Sequence, residues 1–223
     1  MCVSLKTKLL ITITSVLLFL LLLFAPNTYS TLLPVFQVTE KPSVISKGAY
    51  GNTVTIDLSF GREDVETLVE GLKAPYPHFF ISIEWIERSE PIIKIMQDKK
   101  IPISLLGKEG LLYIEDRSLF KKEIDRFEEA IGVKPDWFRT SDYEFPVELQ
   151  KDAWKEEVNL LGSTLVLGNT VPKLTKGDIL TVPLHQEERI DTIQLAKYLR
   201  SQPFVSIEQN IFNMKMKTKS YPE

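Results

Sequence analysis

Three residues of types that can hold or pass a proton stand where apolar runs end. Asp57 comes at the end of Thr53–Leu58 (TVTIDL), Arg139 ends Asp136–Arg139, and His185 follows Asp178–Val182 by three residues. Together they offer a base, a cation to orient it and a titratable acid. In a parallel barrel or sheet, reactive side chains sit at the C-terminal ends of strands, which is where this reading puts all three. Two aromatic residues are candidate substrate contacts. Tyr143 lies just beyond Arg139, and Trp154 sits in a charged helical stretch, KDAWKEEV. The chain has two histidines, His78 and His185, and one cysteine, Cys2, so neither an intrachain disulfide nor a Cys-based zinc site is available. His78 begins its apolar run and belongs at the opposite end of the strands. There is no Gly-x-Ser-x-Gly nucleophile motif and no Gly-rich phosphate loop.

The elements that position these residues follow from short apolar runs alternating with helical spacing. Strands are expected at Thr53–Leu58, His78–Ile83, Ile101–Leu106, Asp136–Arg139, Ser163–Leu167, Asp178–Val182 and Phe204–Ile207. Helices are expected over Arg62–Leu72 and from Ser89, with Pro91 in its first turn. Residues 147–157 are weakly helical. The clearest helix runs from Ser118 to Ile131, where Phe120, Ile124, Phe127 and Ile131 share one face before Gly132 stops it. Ile190, Ile193, Ala196 and Leu199 line a last helix. This alternation implies an α/β fold, a compact or incomplete (β/α) barrel of about seven parallel strands.

The N-terminus differs from the rest. Lys6 and Lys8 precede the 17 apolar or Ser/Thr residues from Leu9 to Ala25, close to the ~17–20 that a membrane span needs. Residues 1–30 are read as a signal peptide or signal anchor forming an apolar helix, with the membrane engaged through residues 9–25. Residues 31–50 are read as a linker, 51–210 as the barrel domain and 211–223 as a basic tail. No basic residue follows the run until Lys41, so the bulk of the chain is expected outside the cytoplasm, on the cell membrane or secreted. Without Lys6 and Lys8, the 27 basic residues become 25 against 30 acidic ones, a net charge of −5. That balance disfavours nucleic acid as a partner.

The order of these pieces resembles the polysaccharide deacetylase (NodB-homology) family over roughly residues 51–208. Thr55-Ile56-Asp57-Leu58 stands where that family has Thr-Phe-Asp-Asp. Phe127 to Arg139 (FEEAIGVKPDWFR) resembles its helix, Gly-x-x-Pro turn and Phe-Arg strand end. Leu184-His185 resembles its last motif. The resemblance implies hydrolysis of acetyl groups on sugars by a divalent metal, held by the second Asp of Asp-Asp and a His-x-x-x-His pair. Here the second Asp is Leu58, and the pair falls near Leu106 and Gly110, so the family metal site is not preserved and no cofactor is expected. Asp57, Arg139 and His185 remain as base, orienting arginine and acid. The expectation is an extracytoplasmic pseudoenzyme that binds cell-wall glycan or a membrane or cell-wall protein through a remnant cleft. The alternatives are a deacetylase acting on carbon-nitrogen bonds with a rearranged site, and a membrane-anchored structural or assembly protein with no cleft function.

Overall fold

The structure, a computed structural model, describes residues 39–61, 63–168, 172–186 and 191–214. The expected N-terminal apolar helix, residues 31–38 of the linker and the tail from residue 215 lie outside the described residues. Among those described, no helix is long and apolar enough to cross a membrane.

The strands are β1 (Val44–Ile45), β2 (Thr53–Leu58), β3 (His78–Ile81), β4 (Ile103–Leu106), β5 (Trp137–Arg139), β6 (Asn159–Leu161), β7 (Leu165–Val166) and β8 (Ile179–Pro183). The helices are α1 (Glu63–Gly71), α2 (Ile83–Arg88), α3 (Glu90–Asp98), α4 (Leu112–Glu115), α5 (Leu119–Ile131), α6 (Val147–Lys155), α7 (Thr192–Ser201) and α8 (Ile207–Phe212). All eight strands are parallel, in the order β1-β6-β5-β4-β3-β2-β8-β7. The fold is therefore the expected incomplete (β/α) barrel, with eight strands among the described residues rather than about seven.

Chain connectivity forces the curl. β6 lies second from one end of the strand order and β7 at the other end, yet only Gly162, Ser163 and Thr164 join them. Four steps of extended chain span at most about 14 Å. Thr164 clasps both edges. Its hydroxyl donates to the Ser46 carbonyl at 2.7 Å, and its N–H donates to the Ile179 carbonyl at 3.0 Å.

Three expectations need correcting. Val44–Ile45, within the expected linker, is an edge strand, with Val44 opposite Leu160. Asn159–Leu161 is a strand, although its three residues are too few to show a period against the preceding helix. Phe204–Ile207 is not a strand. Ser206 there is the N-cap of α8, its hydroxyl accepting from the Gln209 N–H, and local capping outweighs the apolar run. Gly132 ends α5 as expected, at φ 85°.

The sheet is buried on both faces, as parallel sheets are. Val54, Ile56, Leu58, Phe79, Ile81, Leu105 and Phe138 pack outward against helix residues such as Leu68, Met96 and Ile124. The inner face carries Phe80, Leu106, Trp137, Leu161 and Ile179, joined by Ile207 of α8. Polar residues share that inner face: Thr55, Asp57, Arg139 and Thr181, all buried. α8 closes the N-terminal end of the barrel. Trp137 Nε1 donates to Glu208 at 3.1 Å, and the buried Asn210 side chain bonds the loops before β2 and β8.

α5 turns a carboxyl inward with its apolar residues. Glu123 is 2% exposed and accepts from the Tyr113 hydroxyl at 2.5 Å, which itself accepts from the Lys108 N–H at 2.7 Å. Burial pushes the Glu123 carboxyl up from 4.5 to about 7. A carboxyl held higher in the folded chain contributes its full stability below pH 4.5, and that contribution is lost as pH rises to about 7. The span corresponds to roughly 3 kcal/mol at ~1.4 kcal/mol per pH unit. We expect unfolding free energy to fall between pH 5 and pH 8, and Glu123→Gln to flatten that slope. Parallel pH profiles for the two proteins, measured by urea denaturation, would refute this.

Candidate functional site

Asp57, Arg139 and Tyr143 meet at the C-terminal end of the strands. The alternation of β2 turns Thr55 and Asp57 to the same inner face while Ile56 and Leu58 join the outer core. Arg139, the last residue of β5, reaches across the barrel interior. Its Nη1 donates to Asp57 Oδ1 at 2.8 Å, Thr55 Oγ1 at 2.7 Å and Thr181 Oγ1 at 2.9 Å. Its Nε donates to the Leu161 carbonyl at 3.0 Å and its Nη2 to the Gly162 carbonyl at 2.8 Å. The guanidinium lies 4.3 Å over the Phe80 ring, a cation–π contact. Asp57 and Arg139 are both 0% exposed.

The loop after β5 caps this pair. The Tyr143 hydroxyl donates to Asp57 Oδ2 at 3.1 Å, so each oxygen of that carboxylate has a partner. Burial, reinforced by the Asp57 charge, holds the phenol far above its usual pKa and keeps its proton in place. Tyr143 sits at φ 63°, a left-handed conformation unusual for a residue with a side chain. Asp142 fixes the turn around it by accepting from the Gly110 and Glu144 N–H groups. His185 flanks this turn, its ring edge-on to Tyr143 with centroids 6.1 Å apart. His185 Nε2 bonds the Ser141 carbonyl at 2.9 Å. A carbonyl only accepts, so Nε2 carries the proton. His185 Nδ1 is buried with no hydrogen-bond partner.

Trp154 is elsewhere. It is half-buried beside Pro42, Ser43 and Asn159, in a shallow groove at the N-terminal end of the sheet. His78 is also at that end, bonded to Ser104 at 2.8 Å. Thr55, Thr181 and Phe80, which hold Arg139, were not singled out from sequence. The period-two spacing from Asp57 to Thr55 was the available signal.

The residues present do not fit a divalent metal of the kind the resemblance implies. Leu58 packs outward among the helices, and Leu106 belongs to the inner apolar cluster. A Cβ at Gly110 would stand 2.3 Å from the Glu144 carbonyl oxygen, so the turn around Tyr143 already occupies the space a side chain there would need. Neither leucine nor glycine has a side-chain donor atom. Among the described residues, no three His, Cys, Asp or Glu side chains converge.

No family model matches the sequence, and no curated protein matches it. Solved structures do. The chitin deacetylase from the fungal pathogen Colletotrichum lindemuthianum superposes with a TM-score of 0.62 at 15% identity, over 78% of this chain and 93% of its own. A family 4 carbohydrate esterase from Bacillus anthracis gives 0.61 at 14% identity, over 75% and 86%. A mutant with restored enzymatic activity of a family 4 pseudoenzyme from the same organism gives 0.56 at 20% identity, over 72% and 68%. The chain has the fold of the family 4 carbohydrate esterases, the polysaccharide deacetylases that its sequence resembles.

Breaking the buried pair leaves one charge without its partner, at a cost of about 3–5 kcal/mol. We expect Arg139→Met and Asp57→Ala each to lose that much in urea denaturation. The double variant should recover part of it, because no lone charge is left inside. A loss below ~1 kcal/mol for either single variant would show that the pair does not brace the barrel.

Proposed function

We propose that this protein is a non-hydrolysing carbohydrate-esterase-like domain that binds cell-wall glycan at the C-terminal mouth of its barrel. Residues 9–25 would hold it at the outer face of the cytoplasmic membrane. One observation carries the reading. Asp57, the residue in the general-base position, is wholly buried with both oxygens engaged, while Leu58, Leu106 and Gly110 offer no metal donors. Bulk water has a pKa near 15.7, and a metal is what would lower it and polarise an acetyl carbonyl.

The binding half of the proposal rests on the mouth and on the fold. Phe60, Leu111, Val147 and Ile193 are exposed in the segments that follow strand C-termini, so the rim offers apolar surface for the faces of sugar rings. Tyr143 and His185 lie within the mouth. The structures sharing the fold include a chitin deacetylase, a peptidoglycan N-acetylglucosamine deacetylase and a pseudoenzyme. Such neighbours make an acetylated glycan the ligand class to try first. A deacetylase with a rearranged site would have to be built on His185 Nδ1, since Nε2 is taken by the Ser141 carbonyl.

The test uses the full-length protein in detergent. After incubation with zinc, cobalt or manganese and desalting, we expect no retained metal and no acetate released from N-acetylglucosamine oligomers. We also expect co-sedimentation with insoluble peptidoglycan. Near-stoichiometric metal lost in His185→Ala, together with acetate release, would overturn the non-hydrolysing half. Failure to co-sediment would overturn the binding half.

A further inference from the structure

We infer that Tyr143 is an internal ligand: it occupies the place of a glycan hydroxyl against Asp57, and the turn that carries it is an autoinhibitory plug over a polyol-binding mouth. The inference rests on the glycan-binding reading and goes beyond it by naming the recognising atoms and the residue that blocks them.

Three observations converge. First, Asp57 Oδ2 has one hydrogen-bond partner, the Tyr143 hydroxyl at 3.1 Å, and that bond is of the kind a sugar hydroxyl would make. Second, Tyr143 is held at φ 63°, where a side chain is strained. The hold comes from bonds external to it: Asp142 to Gly110 and Glu144, and the Ser141 N–H to the Lys108 carbonyl at 3.2 Å. A strained residue fixed by its surroundings marks a built feature. Third, His185 Nδ1, beside the Tyr143 ring, is a buried acceptor without a donor among the described residues. Its tautomer is set by the Nε2 bond to Ser141, so Nδ1 presents a lone pair.

With the phenol withdrawn, the mouth presents two acceptors, a carboxylate oxygen and an imidazole nitrogen. Arg139 adds no attraction for anions, because its three nitrogens are engaged by Asp57, Thr55, Thr181 and the carbonyls of Leu161 and Gly162. Among the described residues, two acceptors beside a neutralised arginine select a ligand that donates two hydroxyls. The chemistry is that of a sugar diol.

The test is isothermal titration of the full-length protein in detergent with a β-1,4-linked tetramer of N-acetylglucosamine. Tyr143→Gly removes the plug and suits the left-handed backbone. Tyr143→Asn does the same with a residue that tolerates that conformation, and serves if the glycine variant does not fold. We expect either variant to bind at least about tenfold tighter than the wild type, an effect of ~1.4 kcal/mol. Adding His185→Phe should erase the gain. If the wild type binds and the variants bind no better, the plug is refuted while the glycan-binding reading stands. If neither the wild type nor any folded variant binds, both are refuted.

Discussion

The Arg139 guanidinium ties the barrel together from inside. It starts on β5, takes carbonyls at the end of β6 and just beyond it, and ends on hydroxyls and a carboxylate of β2 and β8. Four strands that are not all neighbours in the sheet thus converge on one planar cation. Its fixed fork of donors suits this, where a lysine could offer only a point charge. The Phe80 ring beneath it replaces solvent on one face. The same strut fixes what surrounds Asp57. The carboxylate that neutralises this buried arginine also accepts from a phenol, so each of its oxygens has a partner.

Much of the fold could be read in the sequence because a buried parallel sheet writes itself as short apolar runs. Thr53–Leu58 and Ile103–Leu106 are legible for that reason, and α5 is legible through the spacing of Phe120, Ile124, Phe127 and Ile131. What escaped was short or ambiguous. Val44–Ile45 is two residues between polar turns. Phe204–Ile207 has the composition of a strand, but Ser206 spends its hydroxyl on a helix start. Asp57, Arg139 and His185 were legible as strand-end residues. Their consequence was not, because it depends on Tyr143, whose turn is held by a bond from the distant Gly110 N–H to Asp142.

The glycine at 110 and the turn over Asp57 are linked in space. The turn that carries Tyr143 packs so closely on Gly110 that no side chain fits there. Glycine at 110 therefore does more than lack a ligand atom. It lets the Glu144 carbonyl approach, and that approach sets the phenol over Asp57. A single backbone contact thus ties the identity of residue 110 to the position of the phenol.

The clasp at Gly162–Thr164 gives the wall an uneven stiffness. Around most of the circumference each strand has neighbours on both sides and a helix behind it. At the seam between β1 and β7 the wall is a three-residue ribbon, pinned by Thr164 to Ser46 and Ile179. Mechanically the molecule is a split ring. A radial load on the mouth would be taken up by widening this slit rather than by bending the strands. The guanidinium holds the Gly162 carbonyl at one end of the slit, so the compliance of the whole ring is set beside its weakest arc.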